Sequence, residues 1–279
     1  MSTHPFTAPA KLNLSLRVIR KREDGFHDID TLMLKLPGLA DTLIFEETGA
    51  YSLTCNTPDI PTDDSNLVTK AARAFAQAAA TTLRHSITLD KAIPSGAGLG
   101  GGSSDAATTL TALNQLHDSP LAPAELHEIA ATLGSDIPFF LRAEPAARCT
   151  GRGEVITAAT APAPLPVLLL KPSFGVATPD AYQRWQTSRE IPGIHYAASN
   201  IDGLEIVNDL ERPVFQKHRF LAELKQWLAD RSETRTALLS GSGSTVFAIL
   251  RNDADASHLA NCARHELDPH LWHWSGTTA

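Results

Sequence analysis

The chain has 279 residues, 43% hydrophobic and 20% charged, with a formal net charge of −7. That length can build one large domain or two modest ones around a substantial core, and the acidic balance argues against a general nucleic-acid binder, which carries a basic stripe. Cys55, Cys149 and Cys262 are widely spaced and odd in number, which fits a reducing compartment and gives neither a disulfide framework nor a metal pattern. Met1 to Pro9 lacks the basic and apolar regions of a signal peptide, and the longest apolar run, Leu165 to Leu170, is too short to span a bilayer. The expectation is a soluble, cytoplasmic protein with no membrane or nucleic-acid partner.

Ala10 to Arg20 alternates, with Leu12, Leu14, Leu16 and Val18 on one face and Lys11, Asn13, Ser15 and Arg17 on the other. This predicts a half-buried strand, and alternation alone makes Lys11 and Asn13 its solvent side. Asp24-Gly25 signals a turn; Phe26 and His27 then lead into a second strand through Ile29 to Leu36. Asp41–Glu46 and Tyr51–Cys55 read as two more short strands of an antiparallel meander. Asp63-Asp64-Ser65-Asn66 caps a helix whose apolar residues Leu67, Ala71, Ala74, Phe75 and Ala78 recur at helical spacing, Ser65 and Asn66 both being candidate caps.

Ile87, Leu89 and Ile93 predict a strand that feeds the densest glycine stretch of the chain, Pro94-Ser95-Gly96-Ala97-Gly98-Leu99-Gly100-Gly101-Gly102-Ser103-Ser104. A helix through Ala106, Ala107, Leu110 and Leu113 follows, with Ser103 or Ser104 as its N-cap. Consecutive glycines let N–H groups turn inward around an anion, and the helix N-terminus adds its free donors and positive dipole end. A flexible linker is a poor reading for a segment held between strand and helix. Gly96, Gly98 and Gly101 satisfy G-x-G-x-x-G, but Pro94 interrupts the entry and Asp118 lies between helices, not at the end of a second strand. No lysine precedes Ser103, which excludes a Walker A loop. What remains is a phosphate site of another kind.

Pro123 opens a further helix through Leu126, Ile129, Ala130 and Leu133, with Gly134 as the glycine just past its end. Asp136 then sits between that helix end and the apolar run Ile137–Leu141, as a turn or capping aspartate or as a functional acid. Gly151-Arg152-Gly153-Glu154 reads as a turn before a strand through Val155 and Ile156. The proline-rich stretch Thr160–Pro166 marks a domain boundary, giving domains 1–159 and 165–279, and Leu165–Leu170 reads as a buried central strand. Thr178 is a plausible helix cap, Phe220–Leu228 an amphipathic helix, and Ser240-Gly241-Ser242-Gly243-Ser244 a second glycine turn before a strand. His265, His270 and His273 have no metal-ligand spacing, and no metal ligand is assigned.

Pro94 to Ala107 resembles the ATP loop of the GHMP kinases, the family of galactokinase and of the homoserine, mevalonate and phosphomevalonate kinases. Other segments are similar to that family in the same order: Pro9-Ala10-Lys11-Leu12-Asn13-Leu14, Asp63 to Asn66, Ser135-Asp136-Ile137-Pro138-Phe139-Phe140, Gly151 to Glu154, Asn208-Asp209-Leu210-Glu211 and Ser240 to Ser244. The resemblance implies an α+β chain of two domains with the active site in the cleft between them, acting as a monomer or homodimer with ATP and Mg²⁺. It places Pro94 to Ser104 and Asn66 around the nucleotide, with Ser103 or Ser104 near the metal, and Lys11 and Asn13 facing the substrate. Asp136 would accept the proton of the substrate hydroxyl, and Lys11 would orient it and stabilise negative charge. The role implied for Asn208 to Glu211 is structural, and Ser240 to Ser244 would pack beside the ATP loop.

Arg22-Glu23-Asp24-Gly25-Phe26-His27 and the segment Thr178 to Tyr182 resemble the branch whose small-molecule substrate is a cytidine diphosphate-linked methylerythritol, phosphorylated at its tertiary 2-hydroxyl for isoprenoid synthesis. There Phe26 would stack on cytosine, His27 would hydrogen-bond it, Tyr182 would close the other face, and Thr178 is a further ligand candidate. Phe26 stands where that branch has tyrosine, which keeps the stacking face and loses the hydroxyl. A mevalonate or homoserine kinase would not need this clamp. A non-enzymatic sensor of the same fold would be expected to lose Lys11 or Asp136, and an oxidoreductase would bind NAD through Gly96 to Gly101.

Overall fold

The computed structural model describes residues 3–253 and 255–278. The chain divides into two compact units that interleave in sequence. The first contains residues up to Ala10 with Leu39–Pro94 and Gly100–Glu144; the second contains Lys11–Gly38, Ser95–Leu99 and residues from Pro145 onward. Two long strands, β1 (Thr3–Lys21) and β2 (His27–Glu47), contribute residues to both.

In the first unit the C-terminal half of β2 pairs antiparallel with β4 (His85–Asp90), and β3 (Ser52–Cys55) runs parallel to β4. Four helices cover this sheet: α1 (Leu67–Ala78), α2 (Gly101–Leu116), α3 (Pro123–Leu133) and the short α4 (Ile137–Leu141). Leu43, Phe45, Ile87 and Leu89 of the strands bury against Phe75, Leu110, Leu113 and Ile137 of the helices. Burial of each such side chain contributes about 1.5–3 kcal/mol, which is what holds amphipathic helices of this length in place. Of the two candidate caps, α1 uses Asn66, whose Oδ1 accepts from the Val68 N–H at 2.8 Å.

Three local expectations are corrected. Asp41–Glu46 is no separate strand but the end of β2, which runs on through Pro37 and Gly38 where both are exposed and no core contact is lost. β3 is parallel to its neighbour, so these segments do not form a simple meander. The α3 terminus at Gly134 is extended (φ 176°), so no left-handed glycine ends that helix.

In the second unit β1 lies beside β2 and pairs in parallel with β9 (Leu204–Asn208) at Ser15 and Leu16. The N-terminal half of β2 pairs with β5 (Ala146–Gly151), which turns at Arg152 into β6 (Val155–Ala158), as the Gly-Arg-Gly-Glu turn predicts. A second antiparallel sheet has the order β10 (Thr234–Leu239), β11 (Val246–Leu250), β7 (Pro166–Lys171) and β12 (Trp272–Thr277). The apolar run at Leu165–Leu170 thus becomes an interior strand, as its unbroken hydrophobicity predicts. Helices α5 (Thr178–Arg184), α6 (Glu211–Lys217), α7 (Arg219–Ala229) and α8 (Ala256–Glu266), with the short strand β8 (Ser199–Ile201) beside β9, complete this unit. Its core includes Leu168, Leu170, Phe215, Leu224 and Leu239.

Candidate active site

The glycine stretch turns on left-handed glycines. Gly96, Gly98 and Gly100 all have positive φ (59°, 73° and 75°), while the residues between them do not. This alternation is the backbone of a nest, in which successive N–H groups converge. The carbonyls point the other way. Those of Gly96 and Ala97 accept from the Ser244 and Thr245 N–H groups at 3.2 and 3.1 Å, and that of Leu99 accepts from Lys11 N–H at 2.9 Å. The Gly98 carbonyl accepts from Lys11 Nζ at 2.9 Å and from Ser240 Oγ at 3.0 Å. From Gly96 to Ser103, by contrast, no N–H donates to an acceptor among the described residues. Gly100 is the N-cap of α2, in the left-handed region. Ser103 and Ser104, expected as caps, therefore stand inside the first turn; glycine takes the capping place because only it adopts this φ without strain. Ser103 is partly exposed, whereas Ser104 is fully buried and its hydroxyl has no partner among the described residues.

Beneath that first turn lies a charged group that motif reading missed. Lys91 Nζ bridges Asp41 and, at 2.8 Å, Asp105 Oδ2. A Cβ on Gly101 would lie 3.1 Å from Lys91 Nζ, so the glycine lets the helix sit directly on the ion cluster. Asp41 Oδ1 also accepts from the N–H groups of Ala92 and Ile93 at 2.7 and 2.8 Å. Asp105 Oδ1 is buried and has no hydrogen-bond partner among the described residues. Burial pushes the Asp105 carboxyl up to about 7, opposed by Lys91 and reinforced by Asp41. The Lys91 ammonium is held above its ordinary range, since its two carboxylate neighbours outweigh its burial. Two carboxylates share one ammonium, and Asp105 is the group raised toward the neutral form.

Asp136 occupies the N-cap position of α4 and makes no side-chain capping hydrogen bond. Lys11 and Asn13 are not a solvent face; they are 3% and 1% exposed. Lys11 Nζ donates to Asn13 Oδ1 at 2.6 Å, and Asn13 Nδ2 donates to Thr31 Oγ1 at 2.8 Å. Asn13, expected to face a substrate, also holds Lys11.

The second glycine turn closes on the same residues. A Cβ on Gly241 would lie 3.2 Å from Asn13 Oδ1 and 3.3 Å from Lys11 Nζ, and one on Gly98 would lie 2.1 Å from the Ser240 carbonyl. Asn208 Nδ2 donates to the carbonyls of Leu239 and Gly241 at 2.8 and 2.7 Å, and Glu211 Oε1 accepts from Leu239 N–H at 3.0 Å. The Asn-Asp-Leu-Glu segment thus braces this turn. Thr178 is the first residue of α5 and not its cap; its hydroxyl shares a 2.8 Å hydrogen bond with Ser242.

Phe26 follows Gly25 (φ 86°) in the β1–β2 turn and is 49% exposed. Its neighbour His27 is buried, with the Tyr182 ring at 5.2 Å and tilted by 33°, and Trp185 edge-on at 6.0 Å. Burial, then the nearby Lys21, holds the His27 imidazole below its ordinary value, so it is neutral at pH 7 with one donor and one acceptor nitrogen. His27, Tyr182 and Trp185 thus form one aromatic group, with Phe26 next to His27 in sequence and exposed.

Residues 66–144 match the family described as GHMP kinases N terminal domain, and residues 196–268 that described as GHMP kinases C terminal. With the phosphate nest and its helix, these matches define the class: a small-molecule kinase of the GHMP type. A relative from Methylacidiphilum infernorum is 38% identical across 95% of this chain and 93% of its own, and one from Protochlamydia amoebophila is 42% identical across 91% and 86%. Both are named 4-diphosphocytidyl-2-C-methyl-D-erythritol kinase. A crystal structure of 4-(cytidine 5'-diphospho)-2C-methyl-D-erythritol kinase superposes with a TM-score of 0.76 at 34% identity, covering 99% of each chain. A homoserine kinase from Cytophaga hutchinsonii, 15% identical with a TM-score of 0.66 over 99% of this chain and 94% of its own, shares the fold. The chain belongs to the GHMP kinases and, within them, to the family of 4-diphosphocytidyl-2-C-methyl-D-erythritol kinases. Among the described residues no helix is long and apolar enough to cross a membrane.

Proposed function

We propose that the protein transfers the γ-phosphoryl group of ATP to the 2-hydroxyl of 4-diphosphocytidyl-2-C-methyl-D-erythritol, giving the 2-phosphate and ADP, in isoprenoid precursor synthesis by the methylerythritol phosphate pathway. The observation that carries the phosphoryl chemistry is the glycine loop: N–H groups from Gly96 to Ser103 that donate to no acceptor among the described residues, beside bonded carbonyls, leading into the N-terminus of α2. Phosphoryl transfer asks chiefly for positioning and for stabilised charge, which preorganised N–H groups and a helix dipole supply.

Asp136 is assigned the proton of the attacking hydroxyl, and Lys11 the negative charge developing on that oxygen and the γ-phosphate. Asn13, hydrogen-bonded to Lys11, keeps the ammonium in place. Pro94 to Ser104 receive the phosphates, and Asn66, besides capping α1, is assigned to the nucleotide. Phe26, His27 and Tyr182 take the cytosine, the two rings by stacking and the neutral imidazole by hydrogen bonding, with Thr178 at the edge of this group. Base–aromatic stacking contributes roughly 1–3 kcal/mol per base.

The residues fit a magnesium ion, which keeps water and phosphate oxygens as most of its ligands and needs few from protein. Ser103, on the partly exposed side of the first turn, is the hydroxyl available to hold it, Ser104 being buried. When bound, the ion neutralises charge on the nucleotide phosphates.

Phosphorus NMR of a reaction with Mg·ATP and the cytidylyl substrate tests the assignment. The expected result is one new phosphomonoester resonance growing in step with ADP. ADP without that resonance, or neither product, would overturn it.

A further inference from the structure

The β5–β6 turn, Gly151-Arg152-Gly153-Glu154, has no part in the chemistry above. Gly151 and Gly153 have positive φ (70° and 120°), and a Cβ on Gly151 would lie 3.0 Å from Glu154 Oε2. This folding-back lets the Glu154 carboxylate accept from the Arg152 N–H at 2.6 Å and approach Arg152 Nε at 3.4 Å. The braced guanidinium lies over the Phe26 ring, 4.8 Å from its centroid. Phe26 is itself fixed at the backbone, its N–H donating to Asp24 Oδ1 at 3.1 Å and its carbonyl accepting from Arg22 N–H at 2.8 Å.

An exposed phenylalanine on a hairpin turn keeps its rotamer freedom and offers both ring faces to solvent. A planar cation held on one face removes much of that freedom and blocks that face. We propose that Arg152 is a positioning residue for the cytidylyl end of the substrate: braced by Glu154, it covers one face of Phe26 and presents the opposite face to cytosine. The inference rests on the reading that Phe26 stacks on the base. It also places a cation near a substrate with an anionic diphosphate, in a chain whose net charge of −7 repels such a molecule at long range.

Steady-state kinetics on Arg152→Met, Arg152→Lys, Phe26→Ala and the Phe26→Ala/Arg152→Met double variant test it. A cation–π contact at an exposed site corresponds to about two- to fivefold in a binding constant. Arg152→Met is expected to raise KM for the cytidylyl substrate by that factor, without moving kcat or KM for ATP. Arg152→Lys should regain part of the loss, and Arg152→Met should add nothing once Phe26 is alanine. An equal effect in the Phe26→Ala background, no effect at all, or a parallel change in kcat and KM for ATP would overturn the role of Arg152 while leaving cytosine stacking intact. An unchanged KM in Phe26→Ala alone would remove the stacking itself, and Arg152's role with it.

Discussion

At the scale of residues, two positions carry sharply different risks. Asp136 stands at the N-cap position of α4 without a side-chain capping hydrogen bond. Asp136→Ala is expected to lower kcat by roughly 10²–10⁴-fold, the usual reach of a positioned base, while calorimetry still detects ATP binding. Turnover within a few-fold of the parent would remove Asp136 from its role. Gly98 is constrained twice, by φ of 73° and by the 2.1 Å that would separate an added Cβ from the Ser240 carbonyl. Its own carbonyl is the acceptor for Lys11 Nζ. Gly98→Ala should therefore lower kcat/KM for ATP at least about tenfold, since even a small retreat of the nest spoils converging hydrogen bonds. An alanine variant with unchanged kcat/KM would show that the loop tolerates the shift and that its geometry is not what binds phosphate.

At the scale of elements, the N-terminus of α2 shows what motif reading reached and what it missed. The glycine loop and the following helix were legible because glycine clustering has a backbone cause. The helix start was misplaced, since Ser103 and Ser104 are strong capping residues and the left-handed Gly100 has no sequence mark beyond being glycine. Similarly, Pro37-Gly38 looks like a strand break and is not one, because β2 crosses it in an exposed place. Lys91, Asp41 and Asp105 could not be seen at all: they come from three separated segments and meet only through the fold. Their meeting has a measurable sign. Asp105 is pushed up to about 7 by burial, so its stabilising contribution is present at acid pH and lost as pH rises through 7. Asp105→Asn cannot titrate, and its melting temperature relative to the parent should rise between pH 5 and pH 8. A constant difference across that range would mean that Asp105 stays ionised throughout.

At the scale of the whole molecule, the family was legible because several short motifs fall in one order, each tied to a local physical need. Turn glycines, an acid at a helix start and a cation on a strand are each common; their succession is not. Compact units that interleave in sequence were not legible, because nothing in β1 marks where its residues pass from one unit to the other, and the corresponding point in β2, at Pro37-Gly38, reads as the end of a strand. Substrate choice is a property of the assembled chain, and the cytosine site proposed at Phe26, His27 and Tyr182 is what would separate this kinase from its relatives of like fold. The central claim is tested most directly by ADP release from purified protein with Mg·ATP, offered 4-diphosphocytidyl-2-C-methyl-D-erythritol, mevalonate and homoserine in parallel. The prediction is turnover with the cytidylyl compound alone; turnover with mevalonate or homoserine instead, or none with any of the three, would contradict it.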